Sequence, residues 1–144
     1  MREILFRGKR IDSGEWVCGS FCMDAREQFN GLCCVDGFIR LYNKAEGKMQ
    51  MHEVDRETVG QFTGLTDKNG KKIFEGDICK HRSNYSGDFI ISVVTYTDGC
   101  FLAMADNNSG FNLSKKLEII GNIHDNPELL GGANHAEEES KSTP

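Results

Sequence analysis

Six cysteines carry the widest chemical options in this sequence: Cys18, Cys22, Cys33, Cys34, Cys79 and Cys100. Cys18 and Cys22 have the spacing of one half of a zinc site, which pairs such a knuckle with a second Cys pair or with two closely spaced His. The second half is hard to find. Cys33 and Cys34 are adjacent, so on a strand they point to opposite faces. His52, His81, His124 and His135 contain no pair at ligand spacing. The zinc signal is weak, and neither a metal nor another cofactor is expected. In a reducing compartment the thiols read as small hydrophobes. Cys79 and Cys100 fall in strand patterns, where a buried, inert thiol is the expectation.

The carboxylates offer Glu75 beside Asp77, and Glu118 with Asp125. Paired acids serve general acid–base chemistry, but Asp77 reads as a turn residue whose oxygens take backbone N–H groups. His124 reads as packed or solvated at a strand end. Gly64 precedes Gly70-Lys71 by one residue more than a phosphate-binding loop has, and no Ser or Thr follows the lysine. The chain is therefore expected not to be an enzyme. Binding is the better class. The candidate binding residues are Lys71, Lys72, Lys80 and Arg82, with Tyr85 in a loop over 83–87 and Phe111 in a loop over 106–111.

Charge weighs on the choice of partner. The net charge is −5, and the stretch from Gly131 onward contributes Glu137, Glu138, Glu139 and Lys141, leaving the body at −3. An acidic body does not advertise nucleic-acid binding, which is driven by phosphate neutralisation. Two local stretches run the other way: residues 1–10 and residues 68–82 each carry +3. No run approaches the ~20 apolar residues of a membrane helix. Residues 1–7 lack the apolar stretch of a signal peptide, so the cytoplasm is the expected location.

The elements that hold these residues are short strands. Arg2–Arg7 alternates and reads as an opening strand, followed by a turn at Asp12-Ser13-Gly14. Glu15–Met23 alternates with large groups on both sides, as in a strand covered on both faces. Residues 24–31 read as loop or one helical turn. Asp36-Gly37 between Leu32–Val35 and Phe38–Tyr42 reads as a hairpin turn. Met49–Val54 reads as a strand, and Asp55 as the cap of a helical turn. Asp67–Gly70 is a turn, Lys71–Phe74 a strand, and Glu75-Gly76-Asp77 a corner. Ile78–Arg82 and Phe89–Tyr96 are strands, the latter dense in β-branched and aromatic residues. Asp98-Gly99 turns the chain into Cys100–Met104. Leu117–Ile123 is the last strand, and Asn126-Pro127 opens a helical turn. The fold class is mainly β, a short-stranded barrel or sandwich. Residues 74–123 supply five strands, the count of a small SH3-like barrel. Residues 1–130 read as one β domain with subdomains 1–57 and 58–130, and residues 131–144 as a disordered acidic tail.

Three blocks of this sequence together resemble the YopX family of phage and prophage proteins. They are Met1–Arg7, the run from Thr58 through Gly64-Leu65 and Asp67-Lys68-Asn69-Gly70-Lys71 to Ile78, and Leu117–Leu130 with its Gly121-Asn122-Ile123-His124-Asp125-Asn126-Pro127. The resemblance covers residues 1 to about 130. It implies a mainly β fold and a phage or prophage accessory protein. The family is one of unknown function, so it brings no catalytic residues. Cys18 and the Cys33-Cys34 pair depart from the family pattern. The signature's glycines and apolar residues (Val59, Phe62, Leu65, Ile73, Phe74) read as folding residues more than as an active site. The expected role is a protein-interaction or self-assembling module, a homo-oligomer included. The alternative is a weak nucleic-acid binder using residues 68–82, and an enzyme with an unrecognised site is a distant third.

Overall fold

The structure, a computed structural model, describes residues 3–23, 37–106 and 108–130. The expectations for residues 24–31, Leu32–Val35, Cys33-Cys34 and the acidic tail lie outside the described residues. The strands are β1 (Phe6–Arg10), β2 (Trp16–Met23), β3 (Gly37–Asn43), β4 (Lys48–Thr66), β5 (Lys72–Phe74), β6 (Asp77–Arg82), β7 (Phe89–Thr97), β8 (Cys100–Met104), β9 (Gly110–Asn112) and β10 (Glu118–Asn122). They form two sheets, and the ladders described are antiparallel. The chain divides into two compact units, Met1–Phe62 and Thr63–Pro144.

In the first unit β1 pairs with both β2 and β4, β2 with β3, and β3 with β4, so four strands close into a ring. A ring of so few strands leaves little room inside, because interiors wide enough for full side chains need about eight. Ile39 and Val54 fill it, fully buried, and the Phe6 and Phe21 rings meet with centroids 6.0 Å apart. Glycines make the remaining space. Gly37 is not a turn residue, as expected from Asp36-Gly37. It sits in the ladder opposite Met23 and Val54, and the Phe21 ring occupies the place of its missing Cβ.

The opening strand begins at Phe6, after residues 3–5, and Arg2 lies outside the described residues. Its ladder with β4 is what sets its extent, since Phe6 faces Gln61 and Arg10 faces Val54. That ladder slips: Arg7 pairs with Gly60 but Lys9 with Asp55. The extra residues of β4 bulge there, and the Thr58 hydroxyl takes the Lys9 N–H at 2.9 Å, where a ladder carbonyl would have been. Asp55 does accept a local amide, from Glu57 at 3.1 Å, but no helical turn follows. β4 stays extended through the region because β3 and then β1 claim its backbone groups.

In the second unit the strand order is β10-β6-β7-β8-β9. Four strands run as a meander, and the fifth returns to the first, compatible with the small barrel expected over 74–123. Asp98 and Gly99, both with positive φ (51° and 81°), make the β7–β8 turn. The core is Ile73, Cys79, Val94, Ala103 and Leu117, with Leu113 and Ile119 packed against it. Phe111 lies in β9 and not in a loop. Its ring meets His81 of β6 edge-on at 4.8 Å. β6 and β9 are separated by β7 and β8, a spacing of about 14 Å in a flat sheet at ~4.8 Å per strand. The ring contact therefore shows a sheet curled strongly onto itself.

Of the expected core residues, Phe62, Ile73 and Phe74 are buried and Val59 half-buried. Leu65 is exposed. Gly64, with φ 91°, breaks the alternation there, so Phe62 and Thr63 are both buried and Leu65 turns outward. Cys79 is buried, but Cys100 is exposed. It is the first residue after the β7–β8 turn, and its thiol reaches the Thr97 carbonyl at 3.4 Å.

Candidate functional site

Period-two alternation assigns each residue of the first sheet to the ring interior or to the outer face. Phe6, Val17, Phe21, Ile39, Leu41 and Val54 share the inner side. The outer side carries Trp16, Cys18, Ser20 and Cys22 on β2, Phe38, Arg40 and Tyr42 on β3, and Met49, Met51 and Glu53 on β4. The register places Ser20, Arg40 and Met51 in one row and Tyr42 beside Met49 in the next. Tyr42, Met49 and Met51 are each half or more exposed (56, 53 and 50%), and Cys18, Ser20 and Arg40 are exposed as well. The cover expected over both faces of β2 is not supplied on this one by the described residues: a strand's alternation shows that apolar groups lie on both sides, not that each side meets a second layer. At one margin of the face Trp16 lies under two cations, Arg7 at 4.8 Å and Lys9 at 5.9 Å from its ring.

The residues expected to bind lie in the second unit, and the structure sorts them. Lys80 and Arg82 alternate with His81 on β6, so both face away from the barrel core. Phe89 is paired with Arg82 across the β6–β7 hairpin and is 61% exposed. The Lys80 ammonium lies 4.3 Å and the Arg82 guanidinium carbon 5.8 Å from its ring centre. Arg82 Nε donates to the Gly87 carbonyl at 2.7 Å, which fixes the guanidinium against the loop. The Ser83 hydroxyl accepts the amides of Tyr85 and Ser86 at 3.2 and 3.3 Å. This turn holds up Tyr85, whose side chain is fully exposed. Lys71 and Lys72 are not part of this cluster. Lys71 donates its amide to Asp67 in the turn before β5, and β5 belongs to the other sheet. Phe111 contacts His81, on the opposite side of β6 from Lys80 and Arg82. Phe89 was not singled out from the sequence. The signal was available, because a hairpin with a six-residue loop sets Arg82 opposite Phe89.

The acids and thiols considered for catalysis are engaged in structure. Asp77 is buried and accepts the Phe74 amide at 2.7 Å. Glu118 pairs with Lys68 at 3.2 Å, and Asp125 accepts the Asn122 side-chain amide at 3.2 Å. The Cys79 thiol lies 3.2 Å from the Ser92 hydroxyl, and burial pushes its pKa up, away from thiolate. Among the described residues no three of His, Cys, Asp and Glu come together as a metal site.

The comparison with known families places the chain in one of them. The family described as YopX protein matches residues 7–131. The chain belongs to the YopX family. The crystal structure of protein EF1440 from Enterococcus faecalis is similar to this YopX chain, with a TM-score of 0.52 and 24% identity over 90% of this chain and 99% of that one. That likeness concerns the fold. No curated protein matches the YopX chain. None of its described helices is long and apolar enough to cross a membrane.

His81 gives a test of the curled sheet. Both of its ring nitrogens are buried without a hydrogen-bond partner among the described residues. Burial also holds its pKa below the ordinary 6.5. A lowered histidine pKa leaves the folded state binding fewer protons than the unfolded one. Stability is therefore full above about pH 6.5 and falls as the pH drops below it. His81→Phe keeps an aromatic ring against Phe111 and removes both orphan nitrogens. Thermal melts should show the variant at least as stable as wild type at pH 7, with a smaller loss of midpoint between pH 7 and 5.

Proposed function

We propose that this YopX-family chain is a non-enzymatic module, an accessory protein of phage or prophage, that works by self-association through the outer face of its first sheet. One observation supports this reading above the others. The face presents Tyr42, Met49, Met51 and Arg40 exposed and Trp16 and Phe38 half-buried, the residue types enriched at protein interfaces. A second copy suits the face because the face carries both signs of charge. Arg40 and Glu53 stand in neighbouring rows, so a two-fold contact sets Arg40 of one copy against Glu53 of the other, with the Met and Tyr side chains between them.

The test is light scattering during size exclusion, recorded with the 260/280 nm absorbance ratio. The expected mass, recorded at a salt concentration high enough to strip bound nucleic acid, is a discrete multiple of 16.1 kDa. Met51→Glu and Tyr42→Glu place a charge in the middle of the face and should each give the monomer mass with an unchanged circular dichroism spectrum. A wild-type chain that runs as a monomer at every concentration overturns self-association. Masses unaltered by both substitutions overturn this face as its site.

A further inference from the structure

We infer that the second unit carries a separate site for single-stranded nucleic acid, made by Lys80, Arg82, Phe89 and Tyr85 around the β6–β7 hairpin. The site lies in a different unit from the self-association face.

The argument starts from what a nucleotide offers, a flat π-face and a phosphate a few ångströms away. The hairpin offers the complement of both. Phe89 is a largely exposed ring and Tyr85 a fully exposed one, four residues apart on a loop that Ser83 and the Arg82–Gly87 bond hold in shape. Tyr85 is fully exposed and Phe89 is 61% exposed, so packing within the fold does not account for most of their ring surface. Stacking on unpaired bases does, and it works with every base. The cations stand beside the rings and not apart from them, with Lys80 and Arg82 both within cation–π range of Phe89. Arg82 uses Nε on the loop, which leaves the two terminal nitrogens for a phosphate fork. Lys80 faces Glu118 across the β10–β6 ladder, but Glu118 is engaged by Lys68 at 3.2 Å, so the pair does not silence Lys80. An acidic peptide would use the cations and leave the rings idle. A double helix would use the cations and hide its bases. Single strands use both. Asp88 and the net charge of −5 act against any polyanion, so affinity at physiological salt is modest.

Fluorescence anisotropy with a labelled oligothymidine tests this, using the full chain at low salt. Binding is expected, and its logarithm should fall with the logarithm of salt concentration with a slope of about −1.4, the value for two phosphate contacts to a single strand. Lys80→Ala should bring the slope down to about half. Tyr85→Ala should weaken binding about tenfold with little change of slope, as loss of one stacked base does. Tyr85 is wholly exposed, so this variant folds, and a native dichroism spectrum confirms it. The proposal is overturned if oligothymidine does not bind at low salt, if Tyr85→Ala binds like wild type, or if a duplex or a poly-glutamate peptide binds as tightly as the single strand. Met51→Glu should bind oligothymidine like wild type, so a failed self-association experiment leaves this result standing on its own.

Discussion

Asp67→Ala is expected to lower the thermal midpoint of the second unit by more than about 10 °C, the consequence of losing ~3 kcal/mol in a domain of this size. Asp67 is 4% exposed, and its two oxygens serve three backbone amides. Oδ1 accepts from Asn69 and Lys71, both at 2.9 Å, and Oδ2 from Ile119 at 3.0 Å. The first two close the turn before β5, and the third ties that turn to β10, 52 residues along the chain. Burial alone would raise the carboxyl pKa. The amides of Ile119, Lys71 and Asn69, together with the Lys71 charge, outweigh it and hold the pKa below 3.8. The contribution is therefore present above about pH 4 and lost as the pH falls through the lowered value. Asp67→Asn separates the two roles. Its carbonyl can stay on the Asn69 and Lys71 amides, which then sets its NH2 against the Ile119 N–H, donor against donor. Hydrogen exchange should show the Ile119 amide losing protection while those of Asn69 and Lys71 keep most of theirs. Equal loss at all three would mean that the carboxylate acts as a charge and not as a bridge.

The same residue shows what the sequence exposes and what it hides. The turn at Asp67–Gly70 was legible, because Gly70 supplies the positive φ of 81° and the residue types are those of a turn. The link from that turn to Ile119 was not, since nothing local joins positions so far apart. The hairpin at Asp98-Gly99 was legible for the first of these reasons. The sequence of β4 reads as a strand ending at Val54 and a helical turn capped by Asp55, because Asp55, Arg56, Glu57 and Gly60 look like interruptions. In the fold Asp55, Arg56 and Glu57 are exposed residues at or beside the bulge, and Gly60 is a buried ladder partner of Arg7, all in one extended run held by two different neighbours in succession. The candidate surfaces follow the same division. Lys80, Arg82 and Tyr85 were visible as residue types within one short stretch. Lys71, Lys72 and Phe111 were grouped with them by proximity in sequence or by aromatic type, and sheet membership and strand side then separated them. The face of Tyr42, Met49 and Met51 could not be read as exposed, because whether a second layer covers a sheet face is decided by the whole chain.

Gly19→Ala is expected to cost more than about 3 kcal/mol, the upper end for overpacking, and to prevent the first unit from closing its ring. Gly19 faces Phe6 on β1 and adjoins β3 on its other side. A Cβ there would overlap the Arg40 carbonyl oxygen, and it would sit 3.0 Å from the Ile39 methyl. A side chain such as the Phe21 ring, which a Cβ at Gly37 would meet, can rotate away from such a clash. The Arg40 carbonyl cannot, because Arg40 is in register with both Ser20 and Met51, and moving it breaks two ladders. Gly14→Ala is the matched comparison. Gly14 has a positive φ of 71° but nothing within 4 Å of an added Cβ, so its cost is backbone strain alone, about 1–2 kcal/mol. Trp16 is the sole tryptophan of the chain, and it lies in this unit between Arg7 and Lys9. Its fluorescence therefore reports the ring's unfolding without signal from the second unit. Urea titrations should place the Gly19→Ala midpoint far below that of Gly14→Ala. If the order is reversed, turn strain and not strand approach limits the ring, and the four-strand closure is looser than the positions of β2 and β3 require.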